Sequence, residues 1–443
     1  LVGSEMCIRD RPPPIEGKQL QVSYIGYIPQ TVTLKSTEEL TIKMIEDSQN
    51  LDEVVVIGYG TQRKGDVTSS VASVKSENFV KGAVKDVGQL IQGKVAGLAI
   101  TNPSGDPTGN TQIRLRGTST IGGANTAPLI LIDGIPGDFN TVAPEDVESI
   151  DVLKDGSAAA IYGTRGTNGV ILITTKQARG SEILRVDYSG YISTSHISKK
   201  HDMLNASEFA QLYPDYDQGY DTDWVDEITR TPVSHVHNLS LSGGTSRANY
   251  IANVNYASRQ GIMKRSNFEN FRARIEVTQR LFDDKVRLRF GLLGRSDWRE
   301  STVSGGSFRG VAYSQATRRN PTEPVRNEDG SWYENLSKFE YENPVALLTE
   351  ADGDVKNTQL RYNAGITYNP IRDLTLQANY SYNRFVMNRG YSETLNHISA
   401  RRDGYKGWSS VGSSISVEKL LELTAQYDAS IGRNKFTILG GYS

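Results

Sequence analysis

The sequence predicts a mainly β protein that ends in an antiparallel β-barrel of the outer-membrane type, preceded by a smaller α+β domain. Residues 182–443 alternate between apolar and polar side chains in nine segments, as half-buried strands do. The connections between these segments alternate between tight turns and long polar loops, which is typical of outer-membrane barrels. Residues 66–178 mix apolar strands with helical patterns, which indicates a separate α+β domain of ordinary size.

The clearest barrel strand is 374–383. Its even-numbered residues from Leu374 to Tyr382 are apolar or aromatic, and its odd-numbered residues from Thr375 to Asn383 are polar. We expect the even set to face lipid and the odd set to face the lumen. The long connections are expected at 196–234, 298–357 and 386–414.

Composition excludes several classes of protein. Lys and Arg total 49 and Asp and Glu total 51, so the net charge of −2 gives no indication of a nucleic-acid partner. No apolar run is long enough for a membrane helix, but a transmembrane barrel remains open because half of its strand residues are polar. Cys7 is the only cysteine, so an internal disulfide and a cysteine metal cluster are excluded.

Catalytic and metal-binding patterns are weak. His235 and His237 share one strand face, but two imidazoles alone make a poor metal site, and we expect them to line a lumen or a loop base. The run GTRGTNG at 163–169 lacks the Lys-Ser/Thr ending of a phosphate loop, and SGDPTG at 104–109 has too few carboxylates for calcium. We therefore predict no enzyme activity, no cofactor and no metal.

Residues 1–65 divide into three parts. Residues 1–11 match nothing that follows and are interpreted as a non-native, adaptor-derived tail, with the native start of the protein missing. Residues 12–46 alternate and predict three short antiparallel strands, the last part of a β-sandwich. Residues 47–65 form a linker that contains the β-branched run VVVI at 54–57.

Residues 66–178 predict an ordered series of elements. The stretch DVGQLIQGKVAG is interpreted as a helix that ends at Gly97, and TQIRLRG as a strand with Ile113 and Leu115 inward. PLILIDGIP predicts a buried strand that ends in an Asp-Gly turn. VESIDVL and NGVILITTK predict two further strands, separated by a short helix in GSAAAIYG.

Five motifs occur in one order: LDEVVVIGYGTQRKGDVTSSVASV, LIQGKVAGLAI, IRLRGTST, PLILIDGIP and VESIDVLKDGSAAAIYGTRGTNGVILITTK. Together they resemble the plug region of SusC/RagA-type TonB-dependent outer-membrane transporters. The barrel pattern after them agrees, and residues 12–46 resemble the C-terminal part of the carboxypeptidase-regulatory-like β-sandwich that precedes such plugs. The resemblance covers nearly everything after residue 14 and implies a plug domain over 66–178.

The resemblance also implies a function. A nutrient, either an oligosaccharide or a peptide, would be imported across the bacterial outer membrane when TonB pulls on a Ton box. The matching Ton-box residues are Asp52, Glu53, Val54, Val55 and Val56. An extended β-branched segment suits this role because it can add as a strand to a sheet edge.

Further partners and residues follow from the same resemblance. The expected partners are TonB, a SusD-like surface lipoprotein as a lid, and outer-membrane lipid. The residues that match plug motifs are Arg114, Arg116, Gly117, Asp133, Gly134, Tyr162, Arg165, Gly166 and Gly169. Among them, polar contacts of Arg114, Arg116 and Arg165 are expected to help hold the plug, although ordinary solvated strand edges are an equally good interpretation of each. Candidate contacts to substrate or lid are the loop aromatics Trp298, Trp332, Tyr333, Tyr391 and Trp408.

One departure and two alternatives remain open. A plugged transporter barrel has about 22 strands, whereas residues 182–443 predict nine, so we expect a truncated barrel. A surface β-protein acting as a glycan-binding or adhesion module would use the same strands and loops, without a Ton box or a plug. A soluble glycan-active β-protein would need paired carboxylates, and no such pair is recognisable in the sequence.

Overall fold

A computed structural model describes residues 71–101, 107, 109, 111–117, 126–154, 160–178, 184–300, 308–338, 341–431 and 434–443. It also gives the backbone of four short strands nearer the N-terminus: β1 (Gln19–Val22), β2 (Gln30–Thr33), β3 (Val54–Ile57) and β4 (Gly60–Arg63). The chain divides into two compact units, of which the second comprises Ile57–Gly60 and Ser69–Ser443.

The four N-terminal strands form two small sheets. Strands β1 and β2 pair antiparallel, with Leu20 opposite Val32. Strands β3 and β4 pair in a second two-stranded sheet. The third strand predicted for 12–46, residues 1–11 and the predicted Ton-box residues Asp52 and Glu53 lie outside the described residues.

Residues 71–178 build a five-stranded sheet in the order β5-β10-β11-β8-β9. The strands are β5 (Val71–Lys75), β8 (Leu129–Ile132), β9 (Ile135–Pro136), β10 (Val147–Leu153) and β11 (Val170–Thr175). Only the β11–β8 pair is parallel. The central strands are rich in β-branched residues, and Ile150, Val152 and Ile171 are fully buried in the core. A separate hairpin joins β6 (Leu98–Thr101) to β7 (Gln112–Leu115).

The predicted strands of this domain are confirmed, but its first predicted helix is wrong in length. Only Val87–Ile91 is helical, as a short 3₁₀ helix capped by the side chain of Asp86. The chain then passes through Gly93 and Gly97, whose φ angles of +71° and +79° are incompatible with a continuing helix. On β7, Leu115 is buried and Arg114 is exposed, as the alternation predicted.

Residues 184–443 form one antiparallel sheet of nine strands, each paired with its neighbours in sequence, which confirms the predicted number. The strands are β12 (Arg185–Thr194), β13 (Val233–Gly244), β14 (Ala248–Gln260), β15 (Asn267–Leu281), β16 (Val286–Glu300), β17 (Ala351–Ile371), β18 (Leu374–Glu393), β19 (Trp408–Ile431) and β20 (Asn434–Tyr442). Strands β12 and β20 are the two edges of the described sheet.

Several strands are longer than predicted. Strands β17, β18 and β19 contain 21, 20 and 24 residues. They continue beyond the membrane-type alternation with polar residues on both faces. Because of this polar composition, the sequence predicts loops at 386–393 and 408–414, where the structure has strand. The connections on this side are therefore 301–350 and 394–407, shorter than the predicted 298–357 and 386–414.

The two faces of the nine-stranded sheet differ in chemistry. One face, called inward here, contacts the domain at 71–178, and on β15 it carries buried Arg272 and Arg274. The other face, called outward here, carries Phe271, Ile275 and Val277, which are all exposed. No helix in the described residues is long and apolar enough to cross a membrane.

The long connections fold together at one end of the sheet. They contain α1 (Ala206–Leu212), α2 (Trp224–Ile228), α3 (Phe308–Arg318), α4 (Pro344–Thr349) and α5 (Ile398–Asp403). Helices α2, α3 and α4 share a small core built around Trp224, Ile228, Ala316 and Leu348. We call this assembly of connections the loop platform.

Candidate functional site

An ion pair joins the domain at 71–178 to the inward face of the sheet. The guanidinium of Arg274 donates from Nε and Nη2 to the carboxylate of Asp146 at 2.5 and 2.8 Å, and from Nη2 to the carbonyl of Lys176 at 3.0 Å. The side chains of Arg274 and Asp146 are 9% and 2% exposed. This two-pronged geometry is the strongest form of Arg–carboxylate pairing.

Further arginines of the inward face bind the same domain. Arg272 donates to the carbonyl of Asn140 at 3.0 Å, and Arg361 donates to the carbonyl of Ile132 at 3.3 Å. Arg295 lies 3.5 Å from the carboxylate of Asp138. These arginines come from β15, β16 and β17, so the contacts span several neighbouring strands.

The N-terminal half of the domain is held less extensively. Both Arg259 of β14 and Tyr191 of β12 donate to the carbonyl of Val84, at 3.4 and 3.3 Å. Leu293 of β16 joins the hydrophobic core of the domain. Among the contacts described here, the charged ones therefore concentrate on residues 133–146, between β8 and β10.

Asp133 and Gly134 form the turn after β8, with φ angles of +51° and +85°. The carboxylate of Asp133 accepts the backbone N–H and the hydroxyl of Thr175 at 3.0 and 2.7 Å. Arg289 of β16 lies 3.8 Å from the same carboxylate and 2.9 Å from Glu276. Asp133 therefore closes the turn within the domain and also faces the sheet.

The glycine motif at 163–169 has a structural explanation. Gly169 has a φ of +88°, and a Cβ atom there would collide with the side chain of Leu115 and lie 3.0 Å from the carbonyl of Leu153. Only glycine therefore lets β11 begin this close to β7 and β10. Nearby, Gly166 is buried, Tyr162 is half-buried and Arg165 is exposed.

The comparisons with known proteins agree with this arrangement. The family model "TonB-dependent Receptor Plug Domain" matches residues 63–170. The chain is 32% identical to TonB-dependent receptor SusC of Bacteroides thetaiotaomicron, over 96% of this chain and 46% of that protein. It is also 32% identical to TonB-dependent receptor P3 of Formosa agariphila, over 96% of this chain and 43% of that protein.

The fold gives the same answer. The structure of the RagAB peptide importer in its open-open state superposes with a TM-score of 0.75 and 25% identity, over 88% of this chain and 48% of that chain. The chain has the plug domain and the fold of the SusC/RagA-type TonB-dependent receptors. The domain at 71–178 is accordingly the plug, and the nine-stranded sheet is part of the receptor's β-barrel fold. The chain spans less than half the length of the curated relatives it matches.

In this receptor the loop platform is organised around Arg319. Its guanidinium is fully buried, pairs with Glu323 at 3.0 Å, and donates to the carbonyls of Tyr333 and Tyr341. The rings of Trp224 and Tyr341 lie 4.8 and 4.6 Å from its central carbon, within cation–π distance. Burial raises the pKa of Tyr341 to about 12, so its hydroxyl stays protonated and donates to Glu323 at 3.0 Å.

The five predicted loop aromatics have different locations. Trp298 lies within β16 and donates to Asp354 at 3.1 Å. Trp332 is 4% exposed and donates to Glu350 at 2.7 Å, and Tyr391 lies within β18 at 5% exposure. Tyr333 is half-buried, and Trp408 begins β19 at 44% exposure, edge-on to Tyr391. Trp332 and Tyr391 therefore stabilise the platform, whereas Trp408 is accessible.

Sequence reasoning missed the most exposed aromatic group of the platform. Tyr213, Tyr216 and Tyr220 follow α1 and are 50%, 64% and 49% exposed. The signal was present in the acidic, tyrosine-rich stretch LYPDYDQGYD at 212–221. Alternation analysis overlooked it because it has neither strand nor helix periodicity.

The plug-motif arginines Arg114, Arg116 and Arg165 are exposed, and Gly117 follows β7 with a φ of +90°. Their expected role in holding the plug stays a prediction. The contacts to the sheet given above use arginines of the strands, which the sequence did not single out. His235 and His237 lie near the loop end of β13 as predicted, but the lumen interpretation is wrong. His237 bonds to Tyr188 at 2.7 Å on the outward face, while Val236 and Asn238 between and beside them are buried inward.

No group of three or more metal-ligating side chains occurs in the described part of the chain. The family is one of transporters and receptors.

Proposed function

We propose that the whole protein imports an oligosaccharide or a peptide across the bacterial outer membrane, driven by TonB. The observation that carries this proposal is a plug bound to the inward face of a long antiparallel sheet through buried charges. A plug in this position closes the pore, so passage of a solute requires the plug to be remodelled. An adhesion module would have no need for such a plug, and this alternative is not favoured.

The plug contacts suit a reversible seal. Arg274 and Asp146 form a desolvated pair whose net stability is small relative to a packed apolar contact, although breaking it on one side is costly. Three of the remaining contacts are single hydrogen bonds from Arg259, Arg272 and Arg361 to backbone carbonyls. Two more are the longer approaches of Arg289 and Arg295 to aspartates. A pull from the N-terminal side would reach the N-terminal half of the plug first. This half has fewer charged contacts to the sheet among those described.

The coupling segment in this proposal is Asp52–Val56, and its valines lie in β3. A β-strand can bind a partner through its free backbone edge. Because β3 already pairs with β4 on one edge, TonB would add to the other edge or replace β4. Either route depends on the backbone N–H groups of the valines.

The substrate and the lid would meet the loop platform. Exposed Tyr213, Tyr216, Tyr220 and Trp408 offer flat rings for stacking on a sugar or a peptide side chain, and the same rings suit a SusD-like lipoprotein. The RagAB structure is named as a peptide importer, which supports keeping peptides beside oligosaccharides as substrate classes. The exposed apolar outward face supports an outer-membrane location.

The proposal is tested by uptake in cells that carry the full-length gene, with and without TonB. Labelled oligosaccharide and peptide mixtures would be supplied separately, and each would be competed with unlabelled material of the other class. We expect energised uptake of one class only, abolished without TonB while surface binding remains. Uptake that is equal with and without TonB would contradict the proposal.

A further inference from the structure

The outward face of the sheet carries a groove of about 530 Å³ that crosses β15 to β19. Ala364 lies between its cross-strand partners Phe290 and Tyr380, and Leu421 follows Tyr380 on the next strand. Ala378 lies one row nearer the tight turns. Small side chains between large ones therefore leave a depression in an otherwise apolar surface, and its volume is that of an ordinary small-ligand site.

Two cations border this groove on the side of the loop platform. Arg384 and Lys419 are both exposed and both belong to the outward face, because Lys419 pairs with Tyr382 and Arg384 lies two residues beyond Tyr382. Tyr382 stacks on Tyr362 with ring centroids 4.8 Å apart, beside Lys419 and between the groove and Arg384. In the part of the chain that the structure describes, neither cation forms an ion pair.

Among the residues that the structure describes, no outward carboxylate adjoins these cations. The acidic residues nearest in sequence, Glu418 and Glu422, belong to the inward face: Glu418 accepts from Asn383 at 3.3 Å, and Glu422 is 9% exposed. Within the described residues, Arg384 and Lys419 therefore form a cationic pair of positions on the outward face with no acidic side chain next to them. It lies next to an aromatic pair of the kind found at membrane interfaces.

The spacing suits a lipid. A strand rises about 3.3 Å per residue, so the Cα of Arg384 lies roughly 13 Å along β18 from that of Tyr380. A lipid in the leaflet on the loop side would have its headgroup towards the loops and its acyl chains towards the turns. The cations and the groove are arranged in that same order, and basic side chains at this level attract lipid phosphates.

We infer that this surface binds one phosphate-bearing lipid, with its phosphate on Arg384 and Lys419 and an acyl chain in the groove over Ala364 and Ala378. The inference rests on the membrane location proposed above and is independent of what the receptor transports. The aromatic pair Tyr362–Tyr382 would lie against the glycerol or sugar region between the two.

The test uses the full-length protein in mild detergent, titrated with phosphatidylglycerol or phosphatidylcholine and followed by native mass spectrometry. We expect one preferred phosphatidylglycerol in the unmodified protein. The double variant Arg384→Gln/Lys419→Gln should bind phosphatidylglycerol about tenfold more weakly or worse, without a change for phosphatidylcholine. The matched control Lys285→Gln/Arg372→Gln removes the same charge at exposed positions of the tight turns and should bind as the unmodified protein does.

The groove is tested separately with Ala378→Leu, which fills it, and with Ala425→Leu on the same face outside it. The first should weaken binding of both lipids, and the second should not. Heat-modifiable mobility on gels verifies that each variant is folded. Phosphatidylglycerol binding that is unchanged in the double cation variant would overturn the inference, as would full competition by inorganic phosphate, which has no acyl chain.

Discussion

The inward and outward faces of β15 differ in polarity, in burial and in what they contact. Arg272 and Arg274 point inward and are buried against the plug, whereas Phe271, Ile275 and Val277 point outward and are exposed. In a soluble sheet the apolar face would be the buried one. Here the buried face is polar because its partner is another protein surface with carboxylates and free carbonyls. The exposed face is apolar, as expected for contact with lipid.

This comparison shows that strand alternation alone does not reveal which face is covered. Three aspartates of the plug, Asp133, Asp138 and Asp146, lie at the edge that contacts the sheet. Each of them is close to an arginine of a strand. The inward face is therefore an internal protein interface rather than a solvated lumen wall at these positions. Similar substitutions on the inward and on the outward face should therefore change stability and assembly by different amounts.

The largest effect is expected for Asp146→Asn. It removes the two-pronged partner of the buried Arg274 guanidinium and leaves Glu276, at 3.3 Å, as its remaining carboxylate contact. Breaking a buried pair on one side in this way costs about 3–5 kcal/mol of unfolding free energy. Chemical denaturation of the full-length protein measures this cost. Replacing both partners, Asp146→Leu with Arg274→Met, should recover much of the loss. As a control, Arg185→Gln removes an exposed pair with Asp187 and should change nothing measurable. Equal losses of stability in Asp146→Asn and Arg185→Gln would contradict the difference drawn between the two faces.

The next effect concerns neighbouring residues of β18. Leu376 is exposed on the outward face, and Gln377 lies on the inward face. Leu376→Arg should cost about 2–4 kcal/mol near the bilayer midplane and impair assembly. Gln377→Arg should be tolerated. Heat-modifiable mobility reports assembly for both variants, and equal sensitivity at the two positions would count against a membrane sheet.

A smaller effect is expected at two glycines of β16. A Cβ at inward Gly291 would lie 2.5 Å from the side-chain oxygen of Asn363, whereas a Cβ at outward Gly294 has nothing within 4 Å. Gly291→Ala should therefore destabilise the protein by about 1 kcal/mol, because Asn363 has to move. Gly294→Ala should be neutral. The denaturation midpoints of the two variants measure this difference. A larger loss of stability in Gly294→Ala than in Gly291→Ala would mean that the faces are misassigned.

The smallest effect is a pH dependence of stability that we expect in the loop platform, around His397, and not in the strands. Burial holds the pKa of His397 below its usual value, although Glu393 lies 3.3 Å away, with Glu342, Glu350 and Arg402 nearby. A depressed folded pKa means that the unfolded loop binds the proton more readily. Stability from this site is then fully present above about pH 6.5 and is lost as pH falls through the folded pKa. The protection factors of the α5 amides, which are exchange rates corrected for the intrinsic effect of pH, should therefore fall below pH 6, and His397→Gln should remove that dependence. Protection factors that do not change with pH would contradict the assignment.

Much of this architecture could be predicted because periodicity is a local property. The nine strands, the Asp-Gly turn after β8 and the burial of Leu115 all follow from alternation and turn chemistry. Strand ends were less predictable, because Tyr391 and Trp408 lie in polar extensions whose pairing depends on neighbouring strands. The pairing of Arg274 with Asp146 could not be predicted, since it joins residues 128 positions apart.

In the proposed function, Val54–Val56 couple the receptor to TonB. The most direct measurement compares Val55→Pro with Val55→Thr in the full-length protein, recording transport of a labelled substrate beside its binding at the cell surface. Proline removes a backbone donor and cannot join a strand interior, whereas threonine keeps both the donor and the β-branching. We expect lost transport with intact binding for Val55→Pro and near-normal transport for Val55→Thr. Normal transport by the proline variant would contradict it.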